Sequence, residues 1–344
     1  MKQIITWDLG ATKCAAAVVE YHKENNEFLC KKSGSVKIRS FAALTELSAH
    51  IENLLGIRMA DADAICIGAA GQYDGECLQL DKGFSQPDKN YPYPMTFAQL
   101  AKQQNWPGFA IIHDYSPIVC TTFTSYIQQP KNVKRLNQAD IPPHGRRVAV
   151  GVGTGIGLKD GVLFPQGDFW LGTNEMGHIG VVVPPLAEKY HQARHEELLK
   201  FLRSEQIIKE SEPLTFEKLL AGPGMSSIYS FFDRNAKDKS PEEIGDLVRS
   251  GRAEETLATF AWYLGLLVGT IQLTFMPEGG IWLTGGVLLN HMEVFDHQDF
   301  FLGINASPSY LSLRQQFPLG VLCGSDCAFV GAGYYASKKL LSLT

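Results

Sequence analysis

A two-domain α/β protein with a duplicated sheet is what this sequence predicts, and three observations predict it. Ile4-Ile5-Thr6-Trp7 reads as a buried strand, Asp8-Leu9-Gly10-Ala11-Thr12-Lys13 as a turn with an acid in front, and Cys14 to Val19 as the returning strand. The same grammar recurs where Arg147-Val148-Ala149-Val150 enters Gly151-Val152-Gly153-Thr154-Gly155-Ile156-Gly157 and Leu158 to Phe164 returns. Two strand–turn–strand units, each opening roughly half the chain, point to a duplicated domain with paired phosphate loops. Glycine in such turns has no Cβ, can adopt φ > 0 and lets backbone N–H groups approach an anion closely. A dinucleotide-binding fingerprint fits poorly because neither turn opens a helix. The third observation is the length of 344 residues, enough for two cores of ordinary size.

Composition narrows the function classes. A formal charge of −5 supplies no basic field for nucleic acid or anionic lipid, so neither is expected as a partner. The seven cysteines form no evenly spaced framework and read as reduced core residues of a cytoplasmic protein. Asp8 interrupts any hydrophobic start, and no signal peptide is expected. The uncharged run from Ala258 to Met276 approaches membrane-spanning length, but Gln272, its glycines and threonines, and the terminating Pro277 favour a buried helix and no membrane span.

The remaining elements follow in order. Glu27 to Ser35 supplies a third strand, and Phe41 to Ile57 repeats leucine and isoleucine with helical period. Ala64 to Gly71 is a buried strand, Thr96 to Gln104 a helix, and Phe109 to Ile112 a strand ending at His113-Asp114-Tyr115-Ser116 before a helix from about Pro117 to Ile127. Strand tips in open α/β sheets hold ligands, yet an acid at Asp114 equally suits a helix cap. Gln128 to Gly145 is a polar connection, and Asn174 to His178 a loop before a strand from Ile179 to Val183. His191 and His195 have the spacing of metal ligands on a helix, but without the intervening glutamate they read as exposed helix surface. Ser240-Pro241-Glu242-Glu243 is a capping box opening a helix that ends near Gly251. Gly280 to Leu283 and Val321 to Gly324 are strands, and Ala328 to Ser342 is a terminal helix returning to the first domain.

Asp8-Leu9-Gly10-Ala11-Thr12, Gly153-Thr154-Gly155, Glu175-x-Gly177-His178, Ala221-Gly222-Pro223-Gly224 and Leu283-Thr284-Gly285-Gly286 follow the order found in bacterial glucokinases. Over essentially its whole length the chain resembles that family, in its zinc-free group, since no cysteine cluster follows His178. The resemblance implies the actin-like (ribonuclease H-like) sugar-kinase fold, with a small domain over 1–113 plus 328–344, a large domain over 114–327 and a cleft between them. It implies ATP-dependent phosphorylation of glucose at the 6-hydroxyl, with Asp114 as general base. Asn90, His113, Asp114, Glu175, His178 and Glu217 would hold the sugar. Asp8, Gly10, Ala11, Thr12, Lys13, Gly153, Thr154, Gly155, Gly285 and Gly286 would hold the nucleotide, with magnesium on its phosphates touched by Asp8 directly or through water. A homodimer is also implied.

Several residues depart from the family. His113 replaces the Asn of its Asn-Asp-Phe motif, Ala11 its second glycine, and Tyr93 the Trp of its Asn-x-x-Trp. Lys13 either reaches phosphate or points to solvent. His113 leaves open a kinase for another hexose or amino sugar; a sugar-binding regulator without turnover is a separate alternative, against which the retained Asp114 argues. The donor, whether ATP, ADP or polyphosphate, is also left open.

Overall fold

The computed structural model describes residues 1–10, 12–80, 92–184, 187–234 and 239–341. They form two compact units, Met1–Val133 with Gly324–Thr344, and Lys134–Cys323.

In the first unit β1 (Lys2–Leu9) pairs antiparallel with β2 (Lys13–His22), and β2 with β3 (Glu27–Lys37). After α1 (Leu44–Leu55), β4 (Ala64–Ala69) returns parallel to β1. The short hairpin of β5 (Gly71–Tyr73) and β6 (Leu78–Leu80) and helix α2 (Phe97–Gln103) then lead to β7 (Phe109–His113), parallel to β4. The sheet order is β3-β2-β1-β4-β7. Because side chains alternate along a strand, Ile5, Trp7 and Leu9 pack with Leu47, Ile51 and Leu55 of α1, while Ile4 packs with Cys66, Ala332 and Ala336 on the other face.

Helix α3 (Tyr115–Thr121) follows β7 and packs on the C-terminal helix Cys327–Lys339. Thr121 Oγ1 donates to Cys327 O, and Tyr126 OH donates to Asp326 Oδ1 at 2.6 Å. These bonds carry Asp114 and its helix into the first unit, whereas the sequence reading begins the second domain at 114. The terminal helix docks on this unit as expected. The helix expected to reach Ile127 stops at Thr121, where the Thr122 and Thr124 hydroxyls turn back onto Val119 O and Thr121 O and a 3₁₀ turn, Ser125–Gln128, replaces its end.

In the second unit β9 (Gly145–Val152), β10 (Ile156–Leu163) and β11 (Phe169–Leu171) form the antiparallel half of a sheet. β12 (Ile281–Thr284) and β13 (Leu319–Leu322) form its parallel half, and β8 (Val133–Arg135) closes the edge. The order β11-β10-β9-β12-β13-β8 repeats the first sheet strand for strand, with β8 added, so the duplication read from the two turns is present in the topology. Between β11 and β12 run α4 (Lys189–Ser204), α5 (Phe216–Leu220), α6 (Gly222–Phe232), α7 (Pro241–Arg249) and α8 (Glu254–Phe275). Between β12 and β13 run α9 (Gly286–Asn290), α10 (Gln298–Ile304) and α11 (Leu311–Arg314).

Helix α8 is long and apolar enough to cross a membrane, but Phe260, Leu264, Leu267 and Ile271 are wholly buried in this unit's core. A helix apolar on all sides is a core helix when protein covers it. Its Gly265 and the Gly303 of α10 leave no room for a Cβ, each lying against the other helix's backbone.

Three expectations are corrected. No strand forms over 179–183: a single bridge, Gly180 to Thr215, ties this segment to the residue before α5. His191 is buried, stacked on Trp262 and 2.7 Å from Asp299 Oδ1, while His195 meets Tyr263 OH at 3.0 Å. The two histidines therefore serve helix packing and are not exposed surface. All seven cysteines are free, as expected, but Cys323 is exposed and Cys30 and Cys77 are half-buried.

Candidate functional site

Each unit carries its predicted residues at the tips of its central strands. In the first, the β1–β2 turn is closed by Gly10 N–H donating to Lys13 O at 3.0 Å. Asp8 has one side open to solvent while protein crowds the rest. That partial desolvation and, second, the Asp114 carboxylate push its carboxyl up to about 6 against the pull of Lys13. Thr12 and Lys13 are exposed; Ala11 and Asn90 lie outside the described residues.

Asp114 follows β7, where its N–H donates to Ala69 O at 3.0 Å. Gly68 makes that approach possible, since a Cβ there would stand 3.0 Å from Pro117 Cγ. Asp114 occupies the N-cap position of α3, but its side chain makes no capping bond there. Instead Oδ1 lies 2.8 Å from His113 Nδ1, which also faces the N–H of Tyr115 at 3.3 Å. The acid is about one-quarter exposed and the histidine 38%. Thus Asp8, His113 and Asp114 are neighbours in one unit, and the Asp114 carboxylate makes no bond to α3.

In the second unit the β9–β10 turn places Thr154 at an exposed tip, with Gly153 N–H donating to Gly155 O at 2.9 Å. Gly222 N–H donates to Gly153 O at 2.8 Å, tying the start of α6 to this turn. Glu217 has a position the sequence does not reveal. Thr215 caps α5, and Glu217 Oε2 accepts the N–H of Ile156 at 3.0 Å, where β10 leaves the second turn. A Cβ at Gly155 would stand 2.9 Å from that oxygen, so the glycine makes room for the carboxylate. The other oxygen, Oε1, is 3.7 Å from His178 Nδ1. His178 is 60% exposed and sits on the 3₁₀ turn Met176–His178, its N–H donating to the carbonyl of the exposed Glu175. Gly177 lets this turn rest on β10, where a Cβ would meet Ile156 Cβ at 2.9 Å. Glu175, His178 and Glu217 are therefore gathered beside the second turn.

A cavity of about 1200 Å³ opens next to this turn, lined by Gly153, Thr154, Gly222, Gly286 and residues of α6, α7 and α9. Gly285 has φ +102° and lies so close to Val152 that only glycine fits, whereas a Cβ on Gly286 would meet nothing within 4 Å. Sequence reading missed Met225, Ser226, Ser230, Gly245 and His291 in this lining. Gly245, a glycine inside a well-capped helix, is the one signal that could have pointed there. Among the described residues no cluster of three His, Cys, Asp or Glu forms a metal cage. Asp8 beside Asp114 fits a magnesium ion, which takes one or two carboxylates plus phosphate oxygens.

The model of the glucokinase family matches residues 5–339. Glucokinase from Saccharophagus degradans is 24% identical over 346 residues, covering 98% of this chain and 99% of that protein. Among solved structures, glucokinase from an Antarctic psychrotroph aligns with a TM-score of 0.78 at 18% identity, covering 98% of this chain and 100% of the other. Glucokinase from Balamuthia mandrillaris, solved with glucose, aligns with a TM-score of 0.72 at 17% identity, covering 98% and 94%. These structural likenesses carry the two-domain actin-like fold.

Proposed function

We propose that this chain, which belongs to the glucokinase family and is a sugar kinase, transfers the γ-phosphoryl group of ATP to the 6-hydroxyl of glucose with Asp114 as general base. The observation that carries the reading is the state of Asp114: at a strand tip, part-exposed, bound to no helix N–H and close to a second carboxylate. The hydroxyl oxygen attacks phosphorus, the bond to the leaving ADP oxygen breaks, and the hydroxyl proton passes to Asp114. Such base catalysis is worth roughly 10²–10⁴ in rate. Phosphoryl transfer otherwise asks for positioning and charge neutralisation.

Asp8 serves the magnesium that neutralises the phosphates, and the Gly153-Thr154-Gly155 turn with Gly285 and Gly286 receives the nucleotide. Gly10, Thr12 and Lys13 contribute on the first unit. Glu175, His178 and Glu217 take the sugar hydroxyls, carboxylates and imidazole accepting their hydrogens. The protein works in the cytoplasm, where seven free thiols persist, and as a homodimer. His113 favours a second reading, a kinase for another hexose or an amino sugar, because a bulky imidazole stands where the family's small amide contacts sugar.

ADP release with Mg-ATP across glucose, mannose, fructose, N-acetylglucosamine and N-acetylmannosamine tests both readings. A glucose-dependent rate that collapses in Asp114→Asn is expected. A rate with another sugar moves the function to the second reading. Sugar binding by calorimetry without turnover on any sugar would sink the kinase.

A further inference from the structure

The cavity of the second unit holds a histidine whose hydrogen-bonding sense the structure fixes. His291 is 7% exposed and follows α9. Its Nδ1 stands 3.0 Å from Glu293 Oε1. An ionised carboxylate only accepts, so Nδ1 carries the proton and, in the neutral ring, Nε2 is left as an acceptor. Among the described residues Nε2 has no hydrogen-bond partner. The ring edge is kept clear by Gly245, where a Cβ would stand 3.1 Å from Cε1 and 3.3 Å from Nε2. Glycine is a poor helix former compared with alanine, and here it leaves both residues lining the cavity. The other charged group beside the ring is committed: Arg249 binds Asp246 at 2.6 Å and the carbonyl of Asn290 at 3.4 Å.

We infer that His291 reads the nucleobase, its Nε2 accepting a hydrogen bond from the 6-amino group of adenine and disfavouring 6-oxopurines. The inference rests on the reading that this cavity receives the nucleotide. Inosine nucleotides isolate the contact, because they replace the adenine amine by a carbonyl, setting acceptor against acceptor. One unmet buried acceptor costs roughly 1–3 kcal/mol, or about five- to 150-fold in kcat/KM.

The test compares Mg-ATP with Mg-ITP at pH 8 and saturating sugar, and ADP with IDP by calorimetry, which needs no turnover. Wild type should prefer the adenine nucleotide at least fivefold in both. His291→Phe keeps the ring and removes the nitrogen, and should bring the ratio close to one. Glu293→Gln lets Nδ1 accept from the amide, frees Nε2 to carry the proton, and should lower or invert the preference while the sugar KM holds. An unchanged ratio in both variants overturns the inference. Gly286→Leu separates the premise: its side chain enters the cavity and should weaken ADP binding. If it does not, the nucleotide reading of the cavity fails and takes this inference with it. If Gly286→Leu weakens ADP while wild type accepts IDP equally, the premise stands and the role of His291 falls.

Discussion

Gly285 and Gly286, adjacent in the chain, should respond very unequally to the same methyl group. Gly285 has φ +102° and ψ 153°, a region that only glycine occupies freely; a side chain held there costs about 1–3 kcal/mol. The added Cβ would also fall 2.5 Å from Val152 N and nearer still to its carbonyl oxygen. Val152 ends β9, a strand hydrogen-bonded on both sides, so no side-chain rotation can absorb the clash. Overpacking of this kind adds about 1–3 kcal/mol. Gly285→Ala should therefore lose about 2–6 kcal/mol, a fall in Tm of about 4–24 °C for a unit of this size. Gly286→Ala meets nothing within 4 Å and should stay within about 0.5 kcal/mol of wild type. Thermal unfolding followed by circular dichroism, with the ATP KM measured on the surviving fold, checks both. Equal melting of the two variants, or Gly285→Ala melting with wild type, would refute the reasoning.

Three further outcomes follow from the same geometry. A carboxyl raised in the folded chain holds its proton more tightly folded than unfolded, so Asp8 should make the ligand-free protein lose stability as pH rises from 3.8 to about 6, the contribution being gone above that. Asp8→Asn should flatten this slope in a pH series of melting curves, and an unaltered slope counts against the assignment. Gly155→Ala should push the Glu217 carboxylate off the Ile156 N–H; losing a charge-assisted bond of about 1.5–3 kcal/mol predicts a sugar KM raised roughly tenfold or more, and an unmoved KM removes Glu217 from sugar binding. His191→Phe keeps the stack on Trp262 but leaves Asp299 Oδ1 without its buried partner. It should lower stability by about 1–3 kcal/mol in urea unfolding, with no response of wild type or variant to added zinc.

What the sequence made legible is what local chemistry dictates. The two Gly/Thr turns and the strands beside them follow from apolar runs broken by glycine, and the capping box at Ser240 is present with both of its bonds. The β8 strand was not legible because three residues carry no period, and its pairing at the edge of the second sheet depends on a strand nearly two hundred residues away. His191 was misread for a related reason. A histidine in a helix looks solvated until Asp299, 108 positions on, is folded against it.

The same limit shapes the candidate site. Spacing could nominate Asp114, and it could not decide between a helix cap and a free base. The fold adds that its carboxylate makes no capping bond to α3 and stands 2.8 Å from a neighbouring imidazole, which supports the base reading. Glu217 went the other way. The resemblance nominated it as a sugar ligand, and the fold gives one of its oxygens to the N–H of Ile156 beside the second turn. A single carboxylate thereby joins the turn proposed to receive phosphate to the histidine, His178, proposed for sugar. Moving that carboxylate should therefore be felt by both substrates, so Glu217→Gln, which keeps an acceptor for Ile156 but loses the charge facing His178, should raise the sugar KM more than the ATP KM. Glu217→Ala, which loses both, should raise the two together, and an effect of either variant on kcat alone would break the proposed link.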